Sequence, residues 1–263
     1  MRKNWLVVAL IGLSIVATAQ EKEQLFYYLK VSSANVSINC YINGFPVYEI
    51  DNEGQVTNQI PVNLSLIGKD NILTIEAMPE GENAFVKGNI AAYGGGEMVS
   101  TDDNKQGIVS FDFMVTDSVG EEFKFDNEQF DYSATIKHLP PITDIDELKE
   151  YGVKIQALIG AKKTKKLIEE MSPKIEDTAE AFSVDASIMY ENMEQVLANN
   201  IFNTQWQKVE REQIVPVSYN DGKIWELTLE GDKPLIYAEE ADGGSAFMKI
   251  YVARIDGQLR VVR

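Results

Sequence analysis

The spacing of apolar residues first changes along this chain of 263 residues at Lys137-His-Leu-Pro-Pro141. Upstream the pattern has period two. Val36, Ile38, Cys40 and Ile42 point one way and Ser37, Asn39 and Tyr41 the other, as in a half-buried strand. Downstream, Leu148, Tyr151, Ile155, Leu158 and Ile159 fall on one face of a helix. Neither proline can donate a backbone hydrogen bond, so neither period crosses the junction. The chain therefore reads as two units: residues 20–135, an all-β sandwich, and 144–263, an α+β unit of helices followed by a curved antiparallel sheet. A stiff proline-containing linker, 136–143, joins them.

Seven or eight short strands are expected in the first unit. Leu25 to Val31 and Val36 to Ile42 lead, and Asn43-Gly44 is a tight-turn pair. Phe45 to Ile50 reads as the return strand, with Pro46 placing it at an edge or a strand start. Asp51-Asn-Glu-Gly54 reads as a turn. Gln59 to Leu66, Asn71 to Ala77, Phe85 to Tyr93, Gly107 to Thr116 and Glu121 to Phe125 continue the pattern. Two stacked sheets would bury one face of each. Phe26, Tyr27, Tyr28, Phe111, Phe113, Phe123 and Phe125 are expected mostly in that core.

In the second unit, Thr143 or Asp144 can cap a first helix, with Asp146 and Glu147 well placed in its first turn. Ala161 to Met171 reads as a second helix that Pro173 ends or restarts. Asp185 caps a third, running to about Asn200. Strands return at Gln205 to Val217, Lys223 to Glu230, Leu235 to Glu239, Ala246 to Arg254 and Gln258 to Arg263. Asn220-Asp-Gly222 and Asp256-Gly257 are hairpin turns.

Helices followed by hairpins, ending in Phe247-Met-Lys-Ile-Tyr-Val-Ala-Arg-Ile255, Asp256-Gly257 and Gln258-Leu-Arg-Val-Val-Arg263, resemble the NTF2-like, cystatin-related α+β superfamily over Asp144 to Arg263. The resemblance implies a pocket between sheet and helices and often a non-catalytic role. It carries no catalytic residue onto this chain.

The N-terminus has the pattern of a cleaved secretory signal over residues 1–19. Arg2 and Lys3 precede an apolar run from Trp5 to Val16, and Ala17-Thr-Ala19 offers small residues before Gln20. That run is short for a membrane span. No cysteine stands at the junction to accept a lipid. A secreted or periplasmic location is expected, and a single cysteine, Cys40, expected as a small buried hydrophobe, leaves no internal disulfide. The formal charge is −17. Such a chain repels nucleic acid and anionic lipid. The acid is uneven: residues 20–135 carry 19 acids and 6 bases, residues 136–263 carry 22 and 16.

The one histidine, His138, sits in the linker, which disfavours histidine-dependent nucleophilic catalysis and Cys/His zinc sites. No phosphate-binding glycine motif is present, and Gly94-Gly95-Gly96 is followed by no helix. Asp102-Asp103-Asn104 and Asp126-Asn-Glu128 open oxygen-rich loops without EF-hand spacing. Lys162, Lys163, Lys165 and Lys166 form the one basic cluster, expected as a solvated helix face. Asp117-Ser-Val119 and Asp177-Thr-Ala179 resemble O-glycosylation tripeptides of some secreted bacterial proteins. No cofactor or metal is expected. The leading expectation is a non-enzymatic binding or interaction protein whose partner is an envelope protein. A carrier of a small apolar ligand is the alternative, with Tyr190, Met193, Trp225, Tyr237 and Tyr251 lining its pocket. A carboxylate-based hydrolase is the second alternative.

Overall fold

A computed structural model describes residues 24–101, 105–129, 138–239 and 245–263. They divide into two units, one on each side of the proline junction, each with its own hydrophobic core. The expected signal segment, the acidic run at Asp102 to Asn104 and most of the connector before His138 lie outside the described residues.

The first unit is a single six-stranded antiparallel sheet. Its spine is a long hairpin of β1 (Leu25–Ile42) and β2 (Phe45–Pro61), closed by Asn43 and Gly44 at φ 54° and 75°. The strands expected at 25–31 and 36–42 are thus one. Their inward parity differs: Leu29, Val31 and Ser33 are buried before the junction, and Ala34, Val36 and Ile38 after it. The parity changes between the adjacent buried residues Ser33 and Ala34, next to Asn35 at φ 54°. Opposite it β2 carries one extra residue, because Ala34 faces Gln55 while Val36 faces Asn52. The acidic stretch expected as a turn at 51–54 is therefore a bulge inside β2.

The remaining strands break where β1 bends. β3 (Asn71–Pro79) pairs with Val36 to Ile42, and β4 (Phe85–Gly94) with Leu25 to Ala34. β5 (Val109–Met114) extends β4, and β6 (Val119–Phe125) extends β3. The links sit along one line across the sheet. Asn35 O accepts from Glu80 N at 2.8 Å, Asn35 Nδ2 donates to Glu82 O at 2.7 Å, and Val115 N donates to Ala84 O at 2.9 Å. The sheet folds over this line and nearly closes around one core, with Leu29, Ile38, Leu73, Val86, Phe111 and Phe125 inside. Two expected layers are therefore halves of one sheet, and six strands replace seven or eight. Gly88 is required where the backbones crowd: a Cβ there would lie 1.9 Å from Lys30 O and 2.7 Å from the Phe111 ring.

The second unit begins with α1 (Ile145–Gly160), α2 (Thr164–Ala181) and α3 (Ala186–Asn199). Asp144 caps α1 by accepting from Asp146 N and Glu147 N, and Asp185 caps α3 through Ser187 N. Pro173 lies inside α2 and does not end it. Its ring frees the Glu169 carbonyl, and Ser172 Oγ donates to that oxygen at 3.1 Å. Leu167, Met171 and Ile175 keep the helix seated on both sides of the proline.

The main sheet has the order β13-β12-β8-β7, with β7 (Ile214–Tyr219), β8 (Ile224–Leu229), β12 (Ile250–Ile255) and β13 (Gln258–Val262). A short β9 (Lys233–Pro234) pairs with β8. β10 (Ile236–Glu239) and β11 (Ser245–Met248) form a separate hairpin, so the expected strand at 246–254 breaks at Lys249. The expected strand from Gln205 starts only at Ile214, after a 3-10 turn at Arg211–Gln213. Leu148, Tyr151, Ile155 and Ile159 of α1 pack with Leu227, Ile250 and Val252. α1 lies close to the sheet at Gly152, where a Cβ would sit 2.9 Å from Ile214 Cδ1.

Candidate functional site

Glu170 stands on the apolar stripe of α2, three residues from Leu167, and is 6% exposed. Its carboxylate accepts from Tyr151 Oη at 2.8 Å and from Lys154 Nζ at 2.7 Å. Arg260 Nη1 lies 3.3 Å away. Two helices and strand β13 thus meet on one charge. Burial opposes that charge, but the hydrogen bonds from Lys154 and Tyr151 and the nearby cations hold the carboxyl below its usual range. Burial, then the bond to Glu170, pushes the Tyr151 phenol up. Both groups keep fixed protonation states at neutral pH.

Above this cluster lies an open polar groove of about 470 Å³, between α1 (Glu147, Glu150, Tyr151, Lys154) and the β12–β13 hairpin (Gln258, Leu259, Arg260). Arg254 pairs with Glu147 beside it, and Arg260 Nη2 donates to Gln258 Oε1 at 2.6 Å. Each charged group named at the Glu170 end is engaged by a neighbour. This arrangement anchors helices to sheet. It holds Glu170 as an acceptor already taken up by two donors beside a third cation, which suits it poorly to abstracting a proton.

Glu226 of β8 is a second buried carboxylate, 5% exposed. Tyr219 Oη donates to it at 3.2 Å, and Lys249 Nζ lies 3.7 Å away. Among the described residues, no three of His, Cys, Asp and Glu gather at metal-binding distance. Cys40 is buried, and burial pushes its thiol up to about 12, which keeps it protonated. His138 is exposed.

The five residues expected to line a pocket fall on α3, β8, β10 and β12. Tyr190, Met193 and Trp225 pack against the core of the second unit. Tyr190 Oη donates to Glu176 at 2.8 Å, and Trp225 Nε1 to Gly222 O at 2.8 Å. Tyr251 pairs with Glu226, in the opposite parity to Trp225 and Leu227, and its ring meets Tyr219 edge-on at 6.3 Å. Tyr237 sits on the separate β10–β11 hairpin under Lys233 Nζ. None of the five lines the groove. Glu170 is not among the residues expected from the sequence, although an acid interrupting the Leu167, Met171, Ile175 stripe is visible there.

In comparisons with known proteins, no family model, no curated protein and no solved structure matches this chain.

Proposed function

We propose that this chain is an exported, non-enzymatic interaction protein whose partner is another polypeptide. The observation that carries this reading is the unbalanced charge of the first unit. Residues 20–135 hold 19 acids against 6 bases. Residues 136–263 are closer to balance, with 22 acids and 16 bases. A charge left unmatched inside the chain attracts and steers a cationic surface. The signal-like N-terminus supports export to the periplasm or beyond. In this reading the first unit, a folded six-stranded sheet, is the binding module. The second, with its helices-first order, is an NTF2-like support whose titratable groups are held in structural networks.

Native mass spectrometry of the chain purified gently from its host's envelope fraction tests the proposal. The expected result is a stoichiometric polypeptide partner. A bound species of a few hundred daltons in its place would move the reading to a small-ligand carrier. Loss of a measured hydrolytic activity on replacing one carboxylate would make it an enzyme.

A further inference from the structure

We infer that the outer edge of β2 over Gln55–Ile60 is a docking strand for an extended, lysine- or arginine-rich segment of a partner polypeptide, added to the sheet as a further strand. The inference rests on the interaction reading above and names the surface and the partner's chemistry.

Among the described residues β2 pairs with β1 alone, and none of them pairs with its other edge. Sheet edges are ordinarily guarded by charges, prolines, bulges or shortness. The opposite edge of this sheet follows that rule. β5 has six residues and carries Asp112; β6 has seven and carries Glu121, Glu122 and Lys124. Gln55-Val-Thr-Asn-Gln-Ile60 has none of these guards: no charge and no proline lie within it. Its register with Ser33 to Leu29 and beyond is unbroken, and both register shifts of β2 fall outside it.

The strand is also held ready. Thr57 Oγ1 donates to Ser32 Oγ at 3.0 Å, Asn58 Nδ2 to Tyr48 Oη at 2.8 Å, and Gln59 Nε2 to Tyr93 Oη at 3.2 Å. These bonds fasten its side chains to their own sheet, so an added strand meets an already extended backbone. Main-chain hydrogen bonds would supply affinity, as in other strand additions.

Charge selects the occupant. Pairing of two copies would bring together chains of net −17 each. A basic segment is instead drawn in, and its side chains reach the exposed Glu49 and Asp51 further along the same strand.

The test uses the full chain and a ten-residue synthetic peptide alternating lysine with valine or threonine. Its control carries the same charges with alternate backbone amides N-methylated, and calorimetry measures both. The unmodified peptide is expected to bind at least about tenfold tighter than the methylated one. Adjacent residues point their N–H groups to opposite edges. One of Thr57→Pro and Asn58→Pro therefore removes an outward donor while sparing the β1 pairing. The variant that keeps the parent melting temperature is expected to lose the tenfold preference. Equal binding of both peptides, binding of neither, or a concentration-dependent dimer that the same proline abolishes would overturn the inference. If a stoichiometric partner is found in the envelope complex while the peptides fail here, the interaction reading stands and this edge is wrong.

Discussion

The two units solve the problem of charge in opposite ways. The second buries a carboxylate, Glu170, and surrounds it with Tyr151, Lys154 and Arg260. Ion pairs also tie its helix α1 to its surroundings, Glu147 to Arg254 and Asp146 to Arg211. The buried polar residues of the first are neutral, Ser32, Ser33, Asn63, Ser65, Asn71 and Asn127, and it carries acid on the outside, with Glu49, Asp51, Glu76, Glu121 and Glu122 exposed on its strands. Its shape depends on backbone geometry, because one sheet must fold over at Asn35. The lesson is that one unit is specified by side-chain electrostatics and the other by a bend.

The largest effect is expected at that bend. Asn35→Val places a β-branched residue at φ 54° and deletes the bond to Glu82 O. We expect a loss of about 2–3 kcal/mol, read by denaturant unfolding. Asn35→Gly, which keeps the conformation and loses only the side-chain bond, should cost about 1 kcal/mol. Equal losses would show that the conformation at Asn35 is not what bends the sheet.

Next comes the buried charge. Glu170→Ala leaves Tyr151, Lys154 and Arg260 facing a gap and should destabilise the second unit by about 2–3 kcal/mol, without moving the first. Because the Glu170 carboxyl is held below its usual range, its stabilisation is complete above that range and is lost as the pH falls through the lowered value. Acid unfolding curves of the parent and of Glu170→Gln should therefore converge at low pH.

A smaller effect is expected at Lys174, whose ammonium is pulled down to about 8 by burial while Nζ donates to Arg263 O at 2.8 Å. From that value to the ordinary lysine range, the unfolded chain holds a proton that the folded chain has released. The parent should gain stability relative to Lys174→Met as pH rises through this window. A constant difference would mean that Lys174 titrates normally.

Much of this architecture could be read from residue types. The change of period at the paired prolines separates the units, Asp144 and Asp185 cap their helices, and Pro46 lies in a strand paired on one side only. Turn pairs at Asn43-Gly44 and Asp256-Gly257 adopt the positive φ expected of them. The bend was not legible. Asn35 and the 51–54 stretch have turn composition, and the same left-handed backbone serves a chain reversal or a strand that bends and continues. Which one forms is decided by Glu80 and Glu82, far along the chain. Pro173 misled for a similar reason, since Ser172 supplies a donor to the freed Glu169 carbonyl. At the site, the pocket is what the family resemblance implies, and strand parity sends Tyr251 and Trp225 to opposite faces of the sheet.

Differential scanning calorimetry of the full chain between low and about 0.5 M NaCl tests the contrast most directly. Salt screens both repulsion and attraction between exposed charges. The account predicts two transitions, assigned by Asn35→Val and Glu170→Ala. The transition of the first unit should rise with salt as its unmatched acids are screened. That of the second should stay level or fall as its ion pairs weaken. Two transitions moving together, or the second rising more than the first, would contradict it.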